Sequence, residues 1–76
     1  MFTLRFIEMK NKVKNVRKEK GLTQKELAEI LNVSRQTIIS IEAKRYVPST
    51  ILSLKIAYYF GKSVEELFEL EEIELI

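Results

Sequence analysis

Four hydroxyl residues, Thr23, Ser34, Ser49 and Ser63, each stand immediately ahead of a short stretch with helical apolar spacing. This punctuation limits the chain more than any other feature. A Ser or Thr hydroxyl at that position accepts a hydrogen bond from an otherwise unpaired first-turn amide, so each marks where a helix begins. Thr23-Gln24-Lys25-Glu26 and Ser63-Val64-Glu65-Glu66 also have the form of a capping box, with a glutamate placed to reach back to the cap amide. Gly21 and Gly61 supply stops, because glycine tolerates the left-handed backbone that ends a helix. Asn11 is a candidate cap for a first helix over Lys12–Lys20. Pro48 keeps the Arg45–Pro48 stretch out of helix. The chain is thereby cut into five short helices, none long enough to be stable alone.

The apolar positions say how these pieces pack. Val13, Val16 and Arg17 share one side of the first helix, and Leu27, Ala28 and Leu31 form the stripe of the second. Val33, Ile38 and Ile41 face inward from the third, which spans 34–43. Leu54, Ala57 and Phe60 are the expected core face of the fourth, which runs from Ser49 to about Phe60. The fifth closes at Leu67 or Phe68. At the ends, Phe2–Ile7 and Phe68–Glu71 alternate apolar and polar residues in the manner of half-buried strands. They are expected to pair antiparallel, with Arg5 near a tail glutamate; the alternative is that the ends are frayed or extraneous, with Met9 as an alternative start of the chain. The expected class is all-α: one domain over 1–76, with strands at 1–9 and 69–76 flanking a bundle at 10–68.

Composition narrows the function. The 76 residues contain no cysteine and no histidine, and all eleven acidic residues are glutamates. Disulfides and zinc-thiolate sites are excluded, and the usual nucleophile–base pairs are missing, so no enzyme, cofactor or metal is expected. No apolar run approaches the roughly 20 residues of a membrane span, and no secretory signal is evident, so a cytoplasmic protein is expected. Residues 1–48 carry net charge +6 and residues 49–76 carry −4. That asymmetry suits a protein with one face toward a polyanion, although it also suits ordinary solvated helix surface.

Two short capped helices joined by a tight turn form a helix-turn-helix arrangement. The inner faces are small and apolar (Ala28 against Ile38), while Gln24 starts the first helix. Arg35, Gln36 and Ser40 lie on the outer face of the second, as a helix entering the DNA major groove requires. The run Gly21-Leu22-Thr23-Gln24-Lys25-Glu26-Leu27-Ala28 comes first. Val33-Ser34-Arg35-Gln36-Thr37-Ile38, Ile41-Glu42 and Tyr46-x-Pro48-Ser49 follow it in order. Together these resemble the Cro/C1, or xenobiotic-response-element, family of transcriptional regulators, in a short stand-alone form similar to the cytolysin repressor. The likeness runs from about Lys10 to Leu70.

The resemblance implies a five-helix, lambda-repressor-like bundle with a small antiparallel β-ribbon made by the two ends. It assigns base-edge contacts to Arg35, Gln36, Ser40 and Ile39. Arg35 suits guanine, Gln36 suits adenine, and Ile39 sits where a thymine methyl would lie. It assigns DNA-backbone contacts to Thr23, Gln24, Ser34, Thr37, Lys44, Arg45 and Tyr46, and a buried structural ion pair to Arg17 and Glu42. Several of these residues have a plainer role open to them: Ser34 is a helix cap, and an exposed Ile39 could meet a partner subunit. Lys10, Lys12, Lys14 and Lys18 suit a solvated face as well as a phosphate clamp. The implied function is repression from an inverted-repeat operator on double-stranded DNA, by a homodimer using Ile51, Leu52, Val64 and the tail. Two alternatives remain at this level, an antitoxin with a protein partner and an interaction module that no longer binds DNA.

Overall fold

In a computed structural model the described residues are 9–70. Strand β1 (Met9–Asn11) is followed by α1 (Val13–Glu19), α2 (Gln24–Leu31), α3 (Arg35–Glu42), α4 (Thr50–Phe60) and α5 (Val64–Leu67). Strand β2 (Phe68–Leu70) closes the order. The hydroxyl punctuation is used as read. Thr23, Ser34, Ser49 and Ser63 accept, respectively, from the backbone amides of Glu26, Thr37, Leu52 and Glu66 at 3.0–3.1 Å. Both capping boxes are complete, with Glu26 accepting from the Thr23 amide and Glu66 from the Ser63 amide, each at 2.8 Å. Gly21 and Gly61 take φ of +69° and +64°, where a side chain would be strained.

The core is one cluster contributed by every helix. Val13 and Val16 from α1 meet Leu27, Ala28 and Leu31 from α2, Ile38 and Ile41 from α3, and Leu67 and Phe68 from the C-terminal end. Helix α4 adds Leu52, Ile56, Ala57 and Phe60. The inward face of α4 therefore differs from the expectation. Leu54 is 56% exposed, while Leu52 is buried and so is not available as a dimer contact. The cause lies in the sequence Thr-Ile-Leu-Ser-Leu-Lys-Ile-Ala-Tyr-Tyr-Phe, which is apolar nearly all round and has no polar side to fix the roll of the helix. Leu52 and Leu54 sit about 200° apart, so only one can point inward.

The ribbon is antiparallel, pairing Met9 with Leu70, Lys10 with Glu69, and Asn11 with Phe68. Its paired residues include Lys10 and Asn11, which the sequence pattern assigns to the bundle, and Phe68, where the strand-like alternation begins. The alternating stretch Phe2–Ile7, the Arg5 contact and residues 71–76 lie outside the described residues. Asn11 is not the α1 cap. Lys12 holds that position without a side-chain bond, and Asn11, one residue earlier at the end of β1, still accepts from the Val13 amide at 3.4 Å. Among the described residues, no helix is long and apolar enough to cross a membrane.

Candidate nucleic-acid interface

Helices α2 and α3 pack directly on one another. Ala28 and Ile38, both buried, let the two backbones approach closely. The turn between them is closed by Asn32 in the left-handed conformation (φ 57°) and by the Val33 amide donating to the Ala28 carbonyl at 3.0 Å. Asparagine accepts that backbone more readily than most residues. The angle between the helices is then fixed from below by charge. Arg17 Nε donates to Glu42 Oε2 at 2.7 Å, and Arg17 Nη2 donates to Glu42 Oε1 at 3.1 Å. The two side chains are only 9% and 4% exposed. Arg17 Nη1 donates in addition to the Leu22 carbonyl at 2.8 Å, so α1, the α1–α2 turn and α3 meet at one guanidinium. A bidentate pair withdrawn from water contributes little net stability, but it sets orientation, because any other angle leaves a buried charge unpaired.

Arg35 and Gln36 are exposed on the first turn of α3, and Ile39 and Ser40 are half-exposed one turn further on. Gln36 Nε2 donates to Ser40 Oγ at 3.3 Å, so these two polar groups run together along the outer face. The hydroxyls of Ser34 and Thr37 are hydrogen-bonded to each other at 2.9 Å at the helix start. Past the C-terminal end, Lys44, Arg45 and Tyr46 are exposed, with Lys44 at φ 61° and the Arg45 amide donating to the Ser40 carbonyl at 2.9 Å.

At the other side of the pair, a groove of about 470 Å³ is lined by Arg17, Gly21, Leu22, Thr23, Gln24, Lys25 and Arg35. It lies at the N-terminus of α2, where backbone amides and the helix dipole favour an anion, and it brings Lys25 and Arg35 to its rim. The Glu26 carboxyl on the same turn is held below the usual carboxylate range, chiefly by the Thr23 amide and then by its hydroxyl. Glu66 is held down likewise by Ser63.

Gln24 has a partner that sequence reasoning does not supply. Its Nε2 donates to Glu42 Oε1 at 3.2 Å, joining a residue assigned to the DNA backbone to the buried ion pair. Two other long-range bonds were also illegible. Asn11 Nδ2 donates to the Ile41 carbonyl at 2.9 Å, and Lys55 Nζ donates to the Leu31 carbonyl at 2.8 Å, each serving the last turn of a helix. The residues assigned to base edges thus stand together on α3. Thr23 and Gln24 stand at the groove, and Lys44, Arg45 and Tyr46 stand at the opposite end of α3. Among the described residues no cluster of His, Cys, Asp or Glu could hold a metal ion.

Comparison with known proteins agrees with this geometry. The helix-turn-helix family model matches residues 13–67. An uncharacterised HTH-type transcriptional regulator of Methanocaldococcus jannaschii is 52% identical over 66 residues, covering 87% of this chain and 100% of the relative. An uncharacterised HTH-type transcriptional regulator of Bacillus subtilis, YgzD, is 48% identical over 64 residues, covering 84% and 97%. Among solved structures, a candidate DNA-binding protein from Bacteroides fragilis superposes with a TM-score of 0.71 at 30% identity, covering 80% of this chain and 98% of that one. The chain belongs to the helix-turn-helix family, in its Cro/C1 or xenobiotic-response-element branch of short transcriptional regulators.

Proposed function

We propose that this chain is a sequence-specific, cytoplasmic DNA-binding repressor that occupies an inverted-repeat operator as a homodimer. The observation that carries the reading is the outer face of α3, where Arg35, Gln36, Ile39 and Ser40 stand side by side next to the basic groove at the start of α2. With α3 in the major groove, the Arg35 guanidinium pairs bidentately with guanine O6 and N7, and the Gln36 carboxamide with adenine N6 and N7. Ile39 lies against a thymine methyl, and Ser40 adds a hydroxyl to the same row. Thr23, Gln24, Ser34 and Thr37 at the helix starts, and Lys44, Arg45 and Tyr46 at the far end of α3, bracket the row. Contacts to phosphates on both sides would set register without selecting sequence.

Dimerisation follows from economy of readout and from the surface. One short helix reads too few base pairs to single out an operator, and two copies related by a dyad double the site. Ile51, Leu54 and Tyr58 are 74%, 56% and 90% exposed and lie at i, i+3 and i+7 on α4. They flank an open groove of about 550 Å³ that Val64 also lines. Such a stripe is a surface that a second copy covers. Repression needs only that the operator be occupied.

The test is a gel-shift series over salt together with sedimentation. A reader of this kind shows affinity falling steeply with salt, one duplex that competes far better than bulk DNA, and a two-to-one protein–duplex complex. Salt-independent binding, or equal competition by every duplex, would overturn the proposal.

A further inference from the structure

The far end of α3 is held from outside the helix pair. The Ile41 carbonyl accepts from the Lys44 amide at 3.0 Å and from Asn11 Nδ2 at 2.9 Å, a contact spanning 30 residues of sequence. Asn11 is the last residue of β1, opposite Phe68, and its Oδ1 accepts from the Val13 amide at 3.4 Å. The adjacent Lys12 amide donates to the Leu67 carbonyl at 2.8 Å. One carboxamide therefore ties the terminal ribbon and the start of α1 to the last turn of α3.

That last turn is also where the backbone is least comfortable. Lys44 has φ 61°, a left-handed conformation that is strained for a residue with a Cβ. The other left-handed positions among the described residues carry Gly21, Asn32 and Gly61, all residue types that tolerate it. A lysine persists there only where its surroundings impose the geometry. Among the described residues Asn11 reaches the backbone of this turn from β1, beside Arg17 and Gln24, which hold the Glu42 side chain. The Ser34 cap is internal to the α3 N-terminus and cannot locate the helix relative to the bundle. The Arg17–Glu42 pair grips the side chain of the last α3 residue, and Asn11 ties the backbone of that same turn to the terminal ribbon.

We infer that Asn11 is a positioning residue for base reading: by holding the Ile41 carbonyl it sets where the far half of α3 lies, so sequence selectivity depends on the terminal ribbon. This rests on the reading of α3 given above. Base discrimination is sensitive to displacements of about 0.5 Å in the supporting shell, whereas phosphate attraction is tolerant of them. Loss of the Asn11 bond should consequently lower selectivity and not general affinity.

The test uses the full chain and a duplex selected from a random pool. Asn11→Ala lowers affinity for the selected duplex three- to tenfold, as expected for one net hydrogen bond. Non-specific affinity and its salt slope stay within about twofold of wild type. Amide exchange at Lys44 and Arg45, measured without DNA, becomes faster. Ser63→Ala, which removes the α5 cap and costs a comparable amount of stability, leaves the ratio of specific to non-specific affinity unchanged. A parallel fall of both affinities in Asn11→Ala, or an equal change of the ratio in Ser63→Ala, overturns the inference. Unchanged exchange at Lys44 and Arg45 overturns it without reference to DNA. A wild-type chain that selects no duplex refutes the DNA-reading proposal itself, an outcome separate from any behaviour of Asn11→Ala.

Discussion

Replacing Glu42 by alanine is the sharpest perturbation the structure offers. Glu42 receives three hydrogen bonds, two from Arg17 and one from Gln24, and its side chain is 4% exposed. The Arg17 side chain is 9% exposed beside it, so truncation leaves a withdrawn guanidinium with the Leu22 carbonyl as its remaining observed acceptor. Breaking a buried ion pair by removing one partner costs about 3–5 kcal/mol, since an uncompensated charge stays out of water. A chain of 76 residues has a total stability of roughly 4–11 kcal/mol. The variant therefore loses a large share of it, and Tm falls by about 12–40 °C at about 4–8 °C per kcal/mol.

The control is Glu29→Ala, on the exposed face of α2, which should shift Tm by no more than about 4 °C. The double variant Arg17→Met with Glu42→Leu should recover most of the loss, because no charge is then left buried. Thermal melts by circular dichroism decide it. Equal, small losses for Glu42→Ala and Glu29→Ala would refute the reasoning, as would a double variant no better than the single.

Three further outcomes follow from the same geometry. Arg35→Ala should relax selectivity at one base pair of each half-site by about 1–3 kcal/mol, read from competition with single-base variants of the selected duplex. Lys44→Ala should weaken binding about equally for all duplexes and lower the salt slope by about one, measured by gel shifts over salt. The carboxyls of Glu26 and Glu66 are held down in the folded state, so their contribution is present above their unfolded pKa near 4.5 and is lost as pH falls through the lower folded value. Tm should accordingly drop on acidification below about pH 5, and less steeply in Glu26→Gln with Glu66→Gln. With no histidine in the chain, Tm should be nearly flat from about pH 5.5 to 8.

Most of the helix-turn-helix was legible because its signals are local. A hydroxyl cap acts over three residues, and Thr23, Ser34, Ser49 and Ser63 each behave as their own neighbourhoods dictate. The stripe Leu27, Ala28, Leu31 on α2 and the pair Ile38, Ile41 on α3 carry clear helical periodicity, so their inward faces needed no tertiary information. What could not be read is what depends on a choice between equals or on distance. Helix α4 is apolar on nearly every side, and its roll is decided by the cavity that Leu52, Ile56 and Phe60 fill, which sent Leu54 outward. Asn11 stands before a helix in a position that suits a cap. Only the pairing with Phe68 shows that its amide is free to turn toward Ile41. Gln24 likewise reads as a DNA-backbone contact at the start of a helix, and only the fold brings it within 3.2 Å of Glu42.

Whether α3 reads base sequence is decided by selecting duplexes from a random pool with the purified chain. The expected outcome is enrichment of an inverted repeat whose half-sites are centred about one helical turn apart, roughly 10–10.5 bp, or a multiple of it. Each half-site should contain a guanine beside an adenine at the positions met by Arg35 and Gln36, and the enrichment should vanish in Arg35→Ala with Gln36→Ala. A pool that emerges without a shared motif, or a motif unchanged in that double variant, would contradict base reading by α3.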